Sequence, residues 1–309
     1  MKIFLTGASG LVGHAFARAA ARRGHDVVGT ALTFAGDIAG LNERLTLDLA
    51  DDDALTSAVL DAFPEAIVNA AAISEPARCE EDPAHAQKLN VALPELLARL
   101  AHHVSARFIH LSSEQVFAGD RAPYRATDTP APISLYGRQK LASELAVHRV
   151  APDFAVTLRA PLLGGNSLTG QRSMHERLFA DWAAGRTPSL YTDEIRQICH
   201  AENLAEAMVE LCERPDITGV HHWAGAEPLT RHQMGERIRA HFKLTPAQAP
   251  LAAVRRTDDP AIARRRQADL RLNIDPLAGR LKTQPETFAQ QLDQLAIPPA
   301  CRAWYLSLS

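Results

Sequence analysis

Thr6-Gly7-Ala8-Ser9-Gly10-Leu11-Val12-Gly13 stands between an apolar run, Ile3-Phe4-Leu5, and an alanine-rich stretch from Ala15 to Ala21. The order is strand, glycine turn, helix, and it begins almost at residue 1. Such a turn aims backbone N–H groups and the positive end of a helix dipole at one point, which suits a pyrophosphate. Gly7 permits the tight turn, Gly10 leaves room for phosphates, and Gly13 lets the helix lie close to the sheet. The spacing is Gly-x-x-Gly-x-x-Gly rather than Gly-x-Gly-x-x-Gly. A glycine pattern alone is weak; the strand before it and the helix after it make dinucleotide binding the expectation. Ser9, Leu11 and Val12 join the three glycines as expected cofactor contacts.

Outward from this turn, short apolar strands alternate with helical patterns. The strand candidates are Lys2–Thr6, Asp26–Thr30, Arg44–Leu47, Ala66–Ala70, Arg107–Ser112 and Ala155–Arg159. Helices are expected near Gly13–Arg23, Asp52–Ala62, Pro83–His102 and Tyr136–Val150, with Gly24 capping the first. This alternation predicts an α/β fold: a doubly wound parallel sheet with ligands at the carboxyl ends of its strands. Beyond Arg159 the pattern loosens. Helical periodicity returns at Met174–Ala184, His200–Arg214 and Leu229–Phe242, and Gly219–Trp223 reads as a last strand. We therefore expect a dinucleotide-binding domain over residues 1–160 and a smaller substrate domain over 161–309, interleaved with late sheet elements.

Composition narrows the partners. The net charge of −3 gives no reason to expect a polyanion, so no nucleic acid is expected. No apolar stretch approaches twenty residues, so no membrane span is expected. The four cysteines, Cys79, Cys199, Cys212 and Cys301, have no C-x-x-C spacing, which argues for a reducing cytoplasm and against structural zinc. The chain enters its first strand with no leader-like pattern. The 13 histidines are scattered: His102-His103 are placed at a helix end and His221-His222 on a strand, with no metal site. Arg255, Arg256, Arg264, Arg265 and Arg266 read as a solvated helix face. A small molecule is the expected partner, with a homodimer left open.

Strand Phe108-Ile109-His110-Leu111 ends in Ser112-Ser113, and Tyr136-Gly137-Arg138-Gln139-Lys140 follows 23 residues after Ser113. Tyr136 and Lys140, four apart on a helix, share one face. Hydride addition to a carbonyl leaves an alkoxide that needs a proton. A phenol can give it, a neighbouring ammonium lowers the phenol's pKa of about 10, and a serine hydroxyl can hold the carbonyl oxygen in place.

These motifs resemble those of the extended short-chain dehydrogenases/reductases, and within them the dTDP-4-dehydrorhamnose reductase branch. The carriers are Thr6–Gly13, Asn69-Ala-Ala-Ala-Ile-Ser74, Leu111-Ser-Ser-Glu-Gln-Val-Phe-Ala-Gly119 and Tyr136–Lys140. The resemblance implies that Ser113, Tyr136 and Lys140 are catalytic and that Asn90 supports the lysine through water. It implies cofactor contacts at Thr30, at Asp48-Leu49 closing the third strand, at Ala70, Ala71 and Ala72 beside the nicotinamide ribose, and at Tyr136 and Lys140. NAD-specific relatives carry an acidic residue at the end of the second strand. Gly29-Thr30-Ala31 has none, and no arginine follows it. The reading therefore favours NADP(H), with NAD(H) as the alternative.

The reaction class rests on neighbouring residues. Dehydratases resemble a Ser-Thr-Asp-Glu-Val-Tyr pattern; Ser112-Ser113-Glu114-Gln115-Val116-Phe117 lacks the second carboxylate, so dehydration is not expected. The reductases carry Asp then Tyr where Glu114 and Gln115 stand, which leaves the substrate open. Ser113, Glu114, Val116 and Arg196 are the candidate substrate contacts, with a core place for Val116 and a surface place for Arg196 as the alternatives. The expected activity is reduction of a keto-sugar nucleotide or similar polar ketone. The alternatives are a sugar-nucleotide epimerase, or a non-catalytic NADP-binding regulatory subunit of the methionine adenosyltransferase type.

Overall fold

The apolar run before the glycine turn folds as β1 (Lys2–Thr6), whose Ile3, Phe4 and Leu5 are sealed from solvent on both faces. Near-continuous apolar runs of this kind belong in a parallel sheet covered by helices on each side. The computed structural model, which describes residues 1–308, shows that sheet. Its strands are β1, β2 (Asp26–Thr30), β3 (Glu43–Leu45), β4 (Ala66–Asn69), β5 (Arg107–Ser113), β6 (Ala155–Ala160) and, from the second half, Gly219–His222. Every pairing is parallel, in the spatial order β3-β2-β1-β4-β5-β6 followed by Gly219–His222. The order reverses between β1 and β4, so the crevice of a doubly wound sheet opens there, above the glycine turn.

Two apolar cores flank the sheet. Helix α1 (Leu11–Arg22) packs Ala15, Phe16 and Ala19 onto one face, with a later helix, Ala201–Glu213, beside it. Arg22 and Arg23 of α1 bond Glu206 and Glu213 of that helix at 2.7 Å each. The helix ends as expected at Gly24, whose φ of 75° takes the left-handed turn that glycine tolerates. The other face is covered by α2 (Asp52–Ala62) and by the long segment between β4 and β5.

That segment departs from the sequence reading. Pro83–His102 was expected to be one helix. Instead α3 (Pro76–Glu81) and α4 (Pro83–Gln87) are followed by a π-helical turn, Lys88–Ala92, and then α5 (Leu93–His103). Pro94 has no N–H to return to the Asn90 carbonyl, so an unbroken α-helical ladder cannot run through this point. Such single-turn widenings cluster at functional sites. The third strand is also shorter than expected: it stops at Leu45, and Asp48 and Leu49 lie in the loop beyond it.

Helix α6 (Leu135–Val150) runs from β5 to β6. After β6 come β7 (Leu163–Gly164), α7 (Met174–Ala183), β8 (Ser189–Tyr191), β9 (Ile195–Arg196), β10 (Cys199–His200) and α8 (Ala201–Glu213). The sheet strand Gly219–His222 is β11, followed by β12 (Leu229–Thr230), α9 (Arg231–His241) and β13 (Ala252–Val254). β7 pairs β10, β9 pairs β12 and β8 pairs β13. Leu178, Phe179, Trp182, Met234, Ile238 and Phe288 form a further core among these elements. No helix of the described residues is long and apolar enough to cross a membrane.

Burial of histidine sets the chain's response to acid. Burial holds His14, His110, His175, His200, His221 and His222 below their ordinary range, His200 at about 4 and His222 at about 3. The unfolded chain takes up these protons near 6.5, and the folded chain refuses them until far lower pH. This contribution is full above about 6.5 and is lost as pH falls, at up to about 1.4 kcal/mol per pH unit for each ring. Glu114, pushed up to about 7 by burial, and Glu286, also raised by burial, work in the opposite sense but are two groups against six. Urea midpoints measured between pH 7 and pH 4 should therefore fall steeply; a flat profile would contradict the burial of these rings.

Candidate active site

The glycine turn is built as a cradle that side chains would fill. Gly7 has a φ of 72°, and a Cβ on it would sit 2.9 Å from the Ala71 Cα. A Cβ on Gly13 would sit 2.0 Å from the Gly7 carbonyl oxygen. Gly10 is the N-cap of α1, and no side chain caps that helix end. The first-turn N–H groups of α1, carried by Leu11, Val12 and Gly13, therefore have no side-chain cap, the condition under which a helix N-terminus takes up an anion. Ser9 is half-buried in the turn; Ala70 and Ala71 are half-buried and Ala72 exposed after β4.

Two expected contacts do other work. Thr30 is buried, its hydroxyl accepting the Gly7 N–H at 3.3 Å and its carbonyl the Ala8 N–H at 3.0 Å. It braces the turn from beneath. Asp48 is exposed, and its carboxylate accepts the Ala50 N–H at 2.9 Å, while Leu49 packs on the core under α2. Neither closes the third strand.

Ser113 ends β5, Tyr136 opens α6, and their docking is forced by backbone. Ser134 caps α6 by accepting the Gly137 N–H at 3.0 Å. Gly137 lies so close to the turn after Ser113 that a Cβ would fall 2.3 Å from the Gln115 carbonyl oxygen. That approach brings the phenol into the neighbourhood of the Ser113 hydroxyl, which accepts the Gln115 N–H at 3.2 Å. Ser113, Tyr136 and Lys140 are 8%, 7% and 2% exposed, so the three groups share a nearly dry site.

The electrostatics differ from the sequence expectation. Burial pushes the Tyr136 phenol up to about 12, against a smaller downward pull from the Ser113 hydroxyl. Lys140 is not among the groups that hold it down. Burial brings Lys140 itself down to about 8, opposed by the Glu144 carboxylate one helical turn on. Glu144 is buried, accepts the Ser112 hydroxyl and is gripped by Arg159 at 2.7 Å. Asn90 is fully buried beside this group. Its Oδ1 accepts the Ile73 N–H at 2.9 Å, and its Nδ2 donates to the Ile73 carbonyl at 3.1 Å and to Gln139 at 2.9 Å. Its side chain ties the loop after β4 to α6.

The substrate candidates separate. Val116 is fully buried in a core with Tyr124, Leu270 and Leu272, so it cannot form a pocket wall. Arg196 is neither on the surface nor free: it is 4% exposed, 3.2 Å from Glu114, and donates to the carbonyls of Ile195, Ala268 and Gln267. Glu114 and Arg196 begin a ladder of ion pairs that sequence reasoning missed, buried as far as Glu194 and continuing to the half-buried Arg231 and the exposed Arg266. Of the basic run, Arg264 and Arg265 are exposed on a short helix as expected. Arg266 instead pairs with Glu194 and lies 4.7 Å over the Tyr191 ring. Arg44 was also missed. It lies opposite Gly29 in the β2–β3 register, and its guanidinium reaches the Gly36 carbonyl at 2.9 Å in the loop after β2. Its signal is strand pairing, which no local motif carries. Among the described residues no cluster of metal-ligating side chains occurs.

A parallel sheet with a glycine cradle, and a serine, tyrosine and lysine gathered at its carboxyl edge, defines an extended short-chain dehydrogenase/reductase fold. The chain belongs to the RmlD substrate binding domain family, whose model matches residues 1–298. It is 34% identical over 262 residues to a dTDP-4-dehydrorhamnose reductase of Burkholderia thailandensis, covering 82% of this chain and 83% of that one. It is 32% identical over 250 residues to methionine adenosyltransferase 2 subunit beta of Xenopus laevis, covering 79% and 72%. Among solved structures, a hypothetical dTDP-4-dehydrorhamnose reductase from Sulfolobus tokodaii superposes with a TM-score of 0.81 at 26% identity, over 96% of this chain and 100% of that one. The dTDP-4-dehydrorhamnose reductase of Bacillus anthracis, in complex with NADP, also superposes at 0.81, with 18% identity over 94% and 97%.

Proposed function

We propose that this chain reduces the ketone of a sugar nucleotide, or a similar polar ketone, with NADPH. The observation that supports this reading is the burial of Ser113, at the end of β5, and of Tyr136 and Lys140, one turn apart on α6, in the parallel sheet whose β1 leads into the Gly7–Gly13 cradle. Bound in that cradle, the reduced nicotinamide supplies a hydride to the carbonyl carbon. Ser113 holds the carbonyl oxygen, and Tyr136 gives that oxygen its proton. A phenol kept protonated to about pH 12 by burial is suited to be an acid and unsuited to be a resting base. Lys140, an ammonium below about pH 8 and one turn from Tyr136 on α6, would contact the nicotinamide ribose. The balance is one ketone, one hydride and one proton to one alcohol.

A cavity of about 530 Å³ opens beyond the turn that follows β5. Gly119 and Ile133 line it with Arg256, Arg264 and Arg266, and with the carboxylates of Asp120 and Asp269. Guanidinium groups there suit the diphosphate of a sugar nucleotide. Consumption of NADPH against a panel of keto-sugar nucleotides tests the reading. The relatives named as a subunit of methionine adenosyltransferase support a second one, a non-catalytic nucleotide-binding partner. Capture of a methionine adenosyltransferase with no turnover of any ketone would favour it over the reductase.

We assign Arg44 to the cofactor's 2′-phosphate, since it brings a cation to the end of β2, where there is no carboxylate to take a 2′-hydroxyl. Arg44→Leu should weaken NADP⁺ binding by about tenfold to a hundredfold, the worth of a charge-assisted hydrogen bond, with NAD⁺ little affected. Fluorescence titration with both nucleotides reads this; equal losses would remove the assignment.

A further inference from the structure

Beneath the site a single file of hydrogen bonds crosses the sheet. The Thr6 hydroxyl donates to the Asn69 Oδ1 at 2.7 Å, and Asn69 Nδ2 meets the His110 Nδ1 at 3.2 Å. The His110 Nε2 meets the Ser143 hydroxyl at 2.9 Å, and that hydroxyl donates to the Lys140 carbonyl at 2.7 Å. All five residues are 2% exposed or less. The file joins the two halves of the site. Asn69 Oδ1 also accepts the Ala71 N–H at 3.2 Å, and Ala71 is the backbone against which Gly7 rests. At the far end, Lys140 and Tyr136 stand one turn apart on α6.

The protons along this file have one arrangement. Ser143 has a single hydrogen and gives it to the Lys140 carbonyl, so it turns a lone pair to His110. The ring must then carry its hydrogen on Nε2. A neutral ring leaves Nδ1 bare, and the Asn69 amide donates to it. A second ring proton would face that amide hydrogen and force Asn69 to turn over, stranding Thr6 and Ala71. The Lys140 ammonium and the absence of water act in the same direction, holding the imidazole well below its ordinary range. The other groups around α6 here are the Cys79 thiol and the Glu144 carboxylate, both nearer Lys140.

We propose that His110 is a positioning residue: as the neutral Nε2–H tautomer it fixes the spacing between the glycine cradle and the Tyr136–Lys140 face of α6. The kinetic part of this proposal rests on the reductase reading; the tautomer does not. Long-range proton–nitrogen spectra of ¹⁵N-labelled protein read the ring directly. They should show Nε2–H and no titration near pH 6.5, whereas a proton on Nδ1 or an ordinary titration would overturn the proposal. With dTDP-4-dehydrorhamnose as the probe ketone, His110→Phe should lower kcat about ten- to hundredfold with KM nearly unchanged, as misplaced reacting groups do. His110→Gln keeps an N–H for Ser143 and should recover much of that loss. Should His110→Phe fail to fold, Ser143→Ala breaks the same file by one oxygen atom and should give the same split. A loss confined to KM, or no recovery with glutamine, would contradict the proposal. A wild-type chain that leaves this ketone and the rest of the keto-sugar nucleotide panel untouched would fail the reductase reading, and the tautomer would still decide the placement of the ring.

Discussion

Tyr136→Phe is expected to reduce ketone turnover by about 10²–10⁴, the usual worth of a positioned acid, while NADPH still binds. The variant removes one oxygen from a residue that is 7% exposed, so packing is nearly unchanged. What it removes is the phenol proton that the proposed reaction delivers to the reacting oxygen. The phenol's pKa near 12 keeps that proton in place throughout the working range, so the loss should hold at every pH where the protein is folded. Single-turnover kinetics with saturating NADPH would read the chemical step directly. Turnover within a few-fold of wild type would show that another group or water protonates the alkoxide, and the role assigned to Tyr136 would be withdrawn.

Gly13→Ala should cost more than its size suggests. Position 13 is inside α1, and helix propensity alone would favour alanine by about 1 kcal/mol. Sterics decide otherwise. The new methyl would lie 2.0 Å from the Gly7 carbonyl oxygen and 2.8 Å from the Ala8 Cα, both backbone atoms that no rotamer change can clear. The turn or the helix must move, and overpacking of this kind costs about 1–3 kcal/mol. Either movement spoils the cradle, so affinity for NADP⁺ should fall by orders of magnitude with a lower unfolding midpoint. Gly24→Ala is the comparison: its φ of 75° is strained for alanine, but nothing lies within 4 Å. It should cost about 1 kcal/mol and leave binding intact. Equal nucleotide affinities in the two variants would contradict the cradle.

The first half was legible because its signals are local. β1, α1 and the glycine turn are one continuous pattern, and the apolar strands β4, β5 and β6 alternate with helices long enough to read. The place of Ser113 at a strand end and of Tyr136 and Lys140 on one helix was legible for the same reason: each sits at a fixed offset within a local pattern. What escaped depends on distant partners. The π-helical turn at Lys88–Ala92 needs both Pro94 and the demand of Ile73 for the Asn90 side chain. Arg196 reads as surface until Glu114 and three carbonyls from two segments close around it. The bracing of the turn by Thr30 shows only once β2 is paired with β1 and the Gly7 N–H donates to its hydroxyl. The paired strands of the second half are two or three residues long, too short for any periodicity.

The account stands on the nicotinamide lying between the cradle and Tyr136. A crystal structure of the chain with NADP⁺ measures this most directly. We expect the pyrophosphate over the N-terminus of α1 and the nicotinamide ribose within hydrogen-bond reach of Tyr136 and Lys140. A nucleotide bound elsewhere, or a chain that crystallises from saturating NADP⁺ with none in the cradle, would contradict it.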